Sequence, residues 1–195
     1  MQQKATTALF EGVPESGETV NGYRLDEVKS ALQKAIRRGQ EEEAMFWARE
    51  LMESGKATAL WQRLKVIAVE DCAGMLPLLY VVQCSASAGK SHEPTLFASR
   101  AALELARCEK DRTTDDYLCW IGDKLEKLSD RSVLHEIPDE ALDMHTKRGR
   151  AMKRAEASFF HVGAVLENES PFYDKRYLGF LKAYYSLCDE ESGRP

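Results

Sequence analysis

Apolar residues recur at steps of three and four along most of this 195-residue chain. Leu25, Val28, Leu32, Ala35 and Ile36 lie on one helical face, and Gly39 supplies a stop. Ala44, Trp47, Ala48, Leu51 and Met52 mark a second helix closed by Gly55, with Glu41, Glu42 and Glu43 at its positive end. Leu60, Leu64, Ile67 and Ala68 define a third. Met75 to Cys84 is almost unbroken apolar sequence and predicts a buried helix, with Pro77 tolerated in its first turn. An alanine-rich helix follows, carrying Phe97, Ala101 and Leu105 beside Ala98, Ala102 and Ala106. Thr113 and Asp116 have the spacing of a capping box ahead of Tyr117, Ile121, Leu125 and Leu128. Ile137-Pro138-Asp139-Glu140 reads as a helix restart. Met152, Ala155, Phe159, Val162 and Leu166 then step as a core-facing stripe, and Tyr173, Tyr177, Leu181 and Tyr184 suggest a closing helix. No segment alternates with period two. The expectation is an all-α, compact multi-helix fold: a flexible arm over 1–22, one helical domain over 23–188 and a disordered tail over 189–195.

Composition changes this picture little. The chain is 44% hydrophobic and 30% charged, with net charge -5, so its whole surface is not a nucleic-acid footprint. Cys72, Cys84, Cys108, Cys119 and Cys188 are scattered singly, odd in number and without a CxxC, which reads as reduced thiols. The first residues lack a signal pattern and no apolar run approaches membrane-spanning length, so the expected location is cytoplasmic, with no membrane partner.

Several stretches invite a chemical reading. CSASAGKS, Cys84 to Ser91, holds the Gly-Lys-Ser of a phosphate loop, but Cys84 stands where the first glycine must curl the backbone, and no strand precedes it. No nucleotide site or other cofactor is expected. Glu70 and Asp71 end an apolar helix; they could bind a metal or act as a base, but such a pair more often caps a helix or meets a buried arginine, here Arg63 or Arg37. The histidines His92, His135, His145 and His161 form no metal-binding motif, so no metal site is expected. Lys147, Arg148, Arg150, Lys153 and Arg154 crowd a short stretch, and on a helix Lys147, Arg150 and Arg154 share a face that could meet phosphates or an acidic partner.

The run VKSALQKAIRRGQEEEAMFWARELMESG, followed by LWQRLKVIAVEDCAG, resembles the post-ATPase region of RarA/MgsA-type AAA+ proteins, which are clamp-loader-related maintenance factors for stalled replication forks. The matching residues are Ser30, Ala31, Lys34, Ile36, Arg37, Gly39, Ala44, Trp47, Ala48, Arg49, Met52, Gly55, Arg63, Leu64, Ile67, Ala68, Glu70 and Asp71. The resemblance is closest over 28–74 and loosens toward 165. It implies a clamp-loader-collar-like fold without its motor, since no ATPase domain comes before it here. It implies a non-enzymatic oligomerisation and docking module in DNA replication and repair, forming a homo-oligomer (a tetramer in that family). The implied partners are an AAA+ ATPase or single-strand-binding protein, with DNA as a further one, and the acidic pair is structural. Trp61, Tyr173, Tyr177, Tyr184 and Tyr185 are the expected oligomer contacts. Two rival readings are a metal-dependent phosphohydrolase built on Asp71, Asp143, His145 and His161, and a DNA-binding regulator acting through residues 145–154.

Overall fold

The computed structural model describes residues 17–126 and 136–192, and these are all-α. The chain divides into two compact units, residues 1–129 and 130–195, so the stretch expected as one domain spans both. Leu128 and His135, the first sixteen residues of the expected arm and the last three of the expected tail lie outside the described residues.

The first unit holds α1 (Leu25–Arg37), α2 (Glu41–Glu53), α3 (Ala57–Glu70), α4 (Leu76–Ala88), α5 (Pro94–Arg107) and α6 (Thr113–Glu126). Helix α1 buries Leu25, Val28, Leu32, Ala35 and Ile36, the face its spacing predicts. It ends because Gly39 takes a left-handed φ of +68°, letting the Gly39 and Gln40 amides return to the Ile36 and Ala35 carbonyls at 3.0 and 2.9 Å. The alanine stripe of α5 (Ala98, Ala101, Ala102, Ala106) lets that helix pack closely on α2, whose Ala44 and Ala48 are fully buried. Leu32, Ile36, Leu51, Leu60, Leu64, Ile67, Val81 and Leu105 complete the core. Burial of each is worth about 1.5–3 kcal/mol, before conformational entropy is counted.

Residues 17–24, most of them within the expected arm, are held to α2. Glu18 and Arg24 form a single antiparallel bridge, and Tyr23 meets Trp47 edge-on at 5.3 Å. The Asn21 amide and side chain donate to the Glu50 carboxylate at 3.2 and 2.5 Å. Burial alone would raise the Glu50 carboxyl; hydrogen bonds from Thr19 and Asn21 outweigh it and hold the group below its ordinary range.

Two expectations for this unit need correction. Residues 76–88 are helical, but only Val81, Cys84 and Ala88 are buried; Met75, Leu76, Leu79 and Val82 face outward. A stripe at spacing three and four is all that the core takes from this apolar run. The capping box is also displaced: Thr113 is already helical, and Asp111 Oδ1 accepts from its amide at 2.8 Å.

The second unit contains a 3₁₀ turn (Asp139–Ala141), α7 (Lys147–Ala151), α8 (Glu156–Ser158) running into a π turn (Phe159–Gly163), and α9 (Arg176–Ser192). The expected stripe from Met152 to Leu166 is not one helix. Lys153 has φ 60° and Ala155 is extended, so the chain turns between α7 and α8, leaving Met152, Val162 and Leu166 exposed. Helix α7 itself packs on the loop before it through Gly149: a Cβ there would lie 1.8 Å from the Asp143 carbonyl oxygen, a backbone approach that only glycine permits. The restart after Pro138 is a single turn, and the Arg154 guanidinium donates to the carbonyls of Asp139 and Leu142 at 2.5 and 3.1 Å. On α9, Tyr185 stacks on Phe160 and Asp189 accepts from the Ala157 amide, so one face of the helix closes this unit.

Candidate functional site

The best-defined polar arrangement is a charge cluster at the end of α3. Asp71 caps that helix with a side chain that has no exposure. It accepts from Arg37 Nε at 2.7 Å and Nη2 at 3.3 Å, from Arg112 Nη1 at 2.7 Å, and from Gln33 Nε2 at 3.1 Å. Glu70 accepts from the same two arginines at 2.8 and 3.0 Å, and Arg112 also pairs with Asp115. Arg63 joins indirectly, donating to Gln33 Oε1 at 3.0 Å. Burial pushes the Asp71 carboxyl up, but the hydrogen bonds from Arg37, Arg112 and Gln33 outweigh it and keep the group below the usual carboxylate range. The Arg112 guanidinium is held even more firmly protonated, chiefly by its hydrogen bond to Glu70.

A carboxylate saturated by fixed cations is a poor base and a poor metal ligand, because both tasks need a free lone pair. The cluster therefore ties α1, α3 and the start of α6 together. Of the arginines expected near the acidic pair, Arg37 touches it directly and Arg63 does so through Gln33. Sequence reasoning missed Arg112, which lies 41 residues from Asp71 and carries no local signal.

The residues of the hydrolase reading are only partly brought together. Asp143 and His145 meet at 3.0 Å, whereas His161 Nε2 meets Ser186 Oγ at 3.2 Å. Among the described residues, no group of three or more His, Cys, Asp or Glu side chains could hold a metal ion. The near-miss phosphate loop is helical through Ala88. Its Gly89, Lys90 and Ser91 amides donate to Ser85, Ser87 and Ala88 carbonyls at 3.1–3.3 Å, leaving no converging donors for an anion.

The basic run does not form the single face expected of it. Helix α7 spans only Lys147–Ala151, capped by Thr146 Oγ1, which accepts from the Gly149 amide at 3.0 Å. Arg150 donates to the Met144 and His145 carbonyls, both at 3.0 Å, and Arg154 is bound to Asp139. Lys147, Arg148 and Lys153 remain exposed, with Lys153 beyond the helix end.

The apolar surface offers more. Leu76 is 78% exposed and lies with Met75, Leu79 and Leu96 on the outside of the first unit. Beside them Tyr80, Cys84, Ser87, Leu96, Phe97 and Arg100 line a groove of about 460 Å³. In the second unit, Tyr177, Phe180, Tyr184 and Leu187 follow one another at steps of three, four and three along α9, and all are more than six-tenths exposed. That is the heptad spacing of a helix seam. Tyr173, in the loop before α9, is 38% exposed, and Tyr185 is half-buried against Phe160. Trp61, expected at a contact, is instead only 8% exposed and packs into the core of the first unit. Sequence reasoning singled out Tyr177 and Tyr184 but missed Phe180 and Leu187, which the same spacing would have found.

Among the described residues, no helix is long and apolar enough to cross a membrane. The chain matches no protein-family model, and no curated protein matches it.

Proposed function

We propose that this chain is a non-enzymatic helical module that self-associates and docks onto replication and repair machinery, as the resemblance of residues 28–74 to the RarA/MgsA post-ATPase region implies. The observation that carries the reading is the exposed apolar surface. The four side chains of the α9 seam alone present about 500 Å² of largely apolar area, at 150–250 Å² for a whole aromatic side chain. A patch of that size matches the largest that a single chain exposes, which is often functional and here supports a contact surface; a standard interface buries about 800 Å² on each partner. The α4 face adds a second such surface in the other unit. A heptad seam takes another helix as its complement, which suits assembly from copies of one chain or docking on a helical partner. The saturated Asp71 cluster fits the same reading, since it stiffens the scaffold.

Binding of the purified chain to a replication-type AAA+ ATPase or to single-strand-binding protein, measured by calorimetry, tests the docking half. The expected result is saturable binding with a negative heat-capacity change, the mark of apolar burial. A DNA affinity that falls steeply with added salt, with neither protein bound, would favour the DNA-binding regulator instead.

A further inference from the structure

Two thiols in the first unit are placed side by side. The chain after α3 and the chain after α5 run antiparallel for one pair of residues, Cys72 opposite Lys110. The Ala73 amide donates to the Glu109 carbonyl at 3.0 Å and the Asp111 amide to the Asp71 carbonyl at 3.1 Å, which fixes this register. Cys108 is extended (φ -63°, ψ 158°), so its side chain and that of Lys110, two residues on, leave the backbone on the same side. Cys72 is therefore the diagonal cross-strand neighbour of Cys108, whose thiol donates to the Leu105 carbonyl at 3.2 Å. The Lys110 ammonium lies 3.6 Å from Cys108 Sγ, anchored by the carbonyls of Leu105, Ala106 and Cys108 at 2.7, 3.0 and 2.7 Å. Cys108 is half-buried, and Cys72 is buried.

We propose that Cys72 and Cys108 are a peroxide-responsive thiol pair, with Cys108 as the attacked thiol, Cys72 as the resolving thiol and Lys110 as the cation that activates Cys108. In the first step the Cys108 sulfur attacks one oxygen of hydrogen peroxide. The O–O bond breaks, the departing hydroxide takes up the thiol proton as water, and sulfur is oxidised to the sulfenic acid. In the second step the Cys72 sulfur attacks that sulfur, the S–O bond breaks, and hydroxide leaves with the Cys72 proton as a second water. Two thiols and one peroxide thus give one disulfide and two waters. The roles follow from placement: Cys108 is half-buried, within reach of a small oxidant, with the Lys110 ammonium 3.6 Å from its sulfur, whereas Cys72 is buried behind it. Burial, and then the adjoining thiol, push the Cys72 thiol up, so it waits for a partner already oxidised. The resulting bond would staple the end of α3 to the end of α5 directly beside Asp71.

The test uses the full chain carrying Cys119→Ser, which removes the exposed thiol. After treatment with stoichiometric hydrogen peroxide the intact mass should fall by two hydrogens, and after subsequent alkylation peptide mapping should find a Cys72–Cys108 cross-link. The urea midpoint should shift upward and return with dithiothreitol. In Cys72→Ser, Cys108 should be trapped as a sulfenic acid by dimedone. Lys110→Met should slow disulfide formation by about tenfold, the order expected from losing a cation that faces the charge developing on the attacked peroxide. Lys110→Arg should retain most of the rate, and circular dichroism of both variants confirms that they fold. Cys108 accumulating higher oxides while Cys72 stays fully alkylatable overturns the pairing. A wild-type rate in folded Lys110→Met overturns the role of the lysine.

Discussion

Replacing Asp71 by alanine should cost the first unit about 3 kcal/mol. The side chain accepts four hydrogen bonds, all from Arg37, Arg112 and Gln33, and has no solvent exposure. Breaking a buried ion pair by removing one partner costs about 3–5 kcal/mol, because the other charge is left uncompensated. Arg37 and Arg112 are each about one-third exposed and keep Glu70, so water and one carboxylate recover part of the loss and place the value at the low end. Glu70→Gln is the internal comparison. Glu70 is 24% exposed and shares its arginines with Asp71, so its loss should cost only about 1 kcal/mol. Urea unfolding followed by tryptophan fluorescence measures both.

The pH dependence has a definite sign. The folded Asp71 pKa lies below its unfolded value of about 3.9, so the stability it contributes is complete above that value. It is lost as pH falls through the folded pKa. The gap between wild type and Asp71→Ala should therefore be constant near neutrality and close below about pH 4. A penalty for Asp71→Ala no greater than that for Glu70→Gln, or a gap that widens on acidification, would refute this account of the cluster.

Gly149→Ala should destabilise the second unit by about 1–3 kcal/mol, as overpacking does, since the new methyl meets backbone rather than a movable side chain; its thermal melt checks this. Arg154→Ala should cost about 2 kcal/mol through its charge-assisted bonds to the Asp139 and Leu142 carbonyls and the Asp139 carboxylate. Lys147→Ala with Arg148→Ala should leave the melt within about 0.5 kcal/mol of wild type, as exposed substitutions do. Leu76→Ser with Leu79→Ser should reduce binding of an apolar dye without lowering stability, because both side chains already face outward.

Local rules made α1 to α3 readable, because each helix carries its own apolar face and ends on a glycine or an acidic pair. They failed where tertiary contacts decide. The Met75–Cys84 run carries apolar residues on every face of its helix, so its sequence does not say which face the core takes. The stripe from Met152 to Leu166 is broken by the turn at Lys153 and Ala155, beside which Arg154 is held by Asp139 and Leu142. Periodicity does not register such contacts. The acidic pair was visible at the end of an apolar helix, but Arg112 sits in a polar loop and only the fold brings it there. The α9 seam was half legible: its tyrosines drew notice, and Phe180 and Leu187 complete the spacing.

Light scattering on the full chain over a wide concentration range tests self-association most directly. The account predicts a mass that is a multiple of 22.0 kDa and that falls toward a single chain in Phe180→Glu with Tyr184→Glu, with helical content unchanged. A mass fixed at one chain at every concentration, identical in the variant, would contradict it.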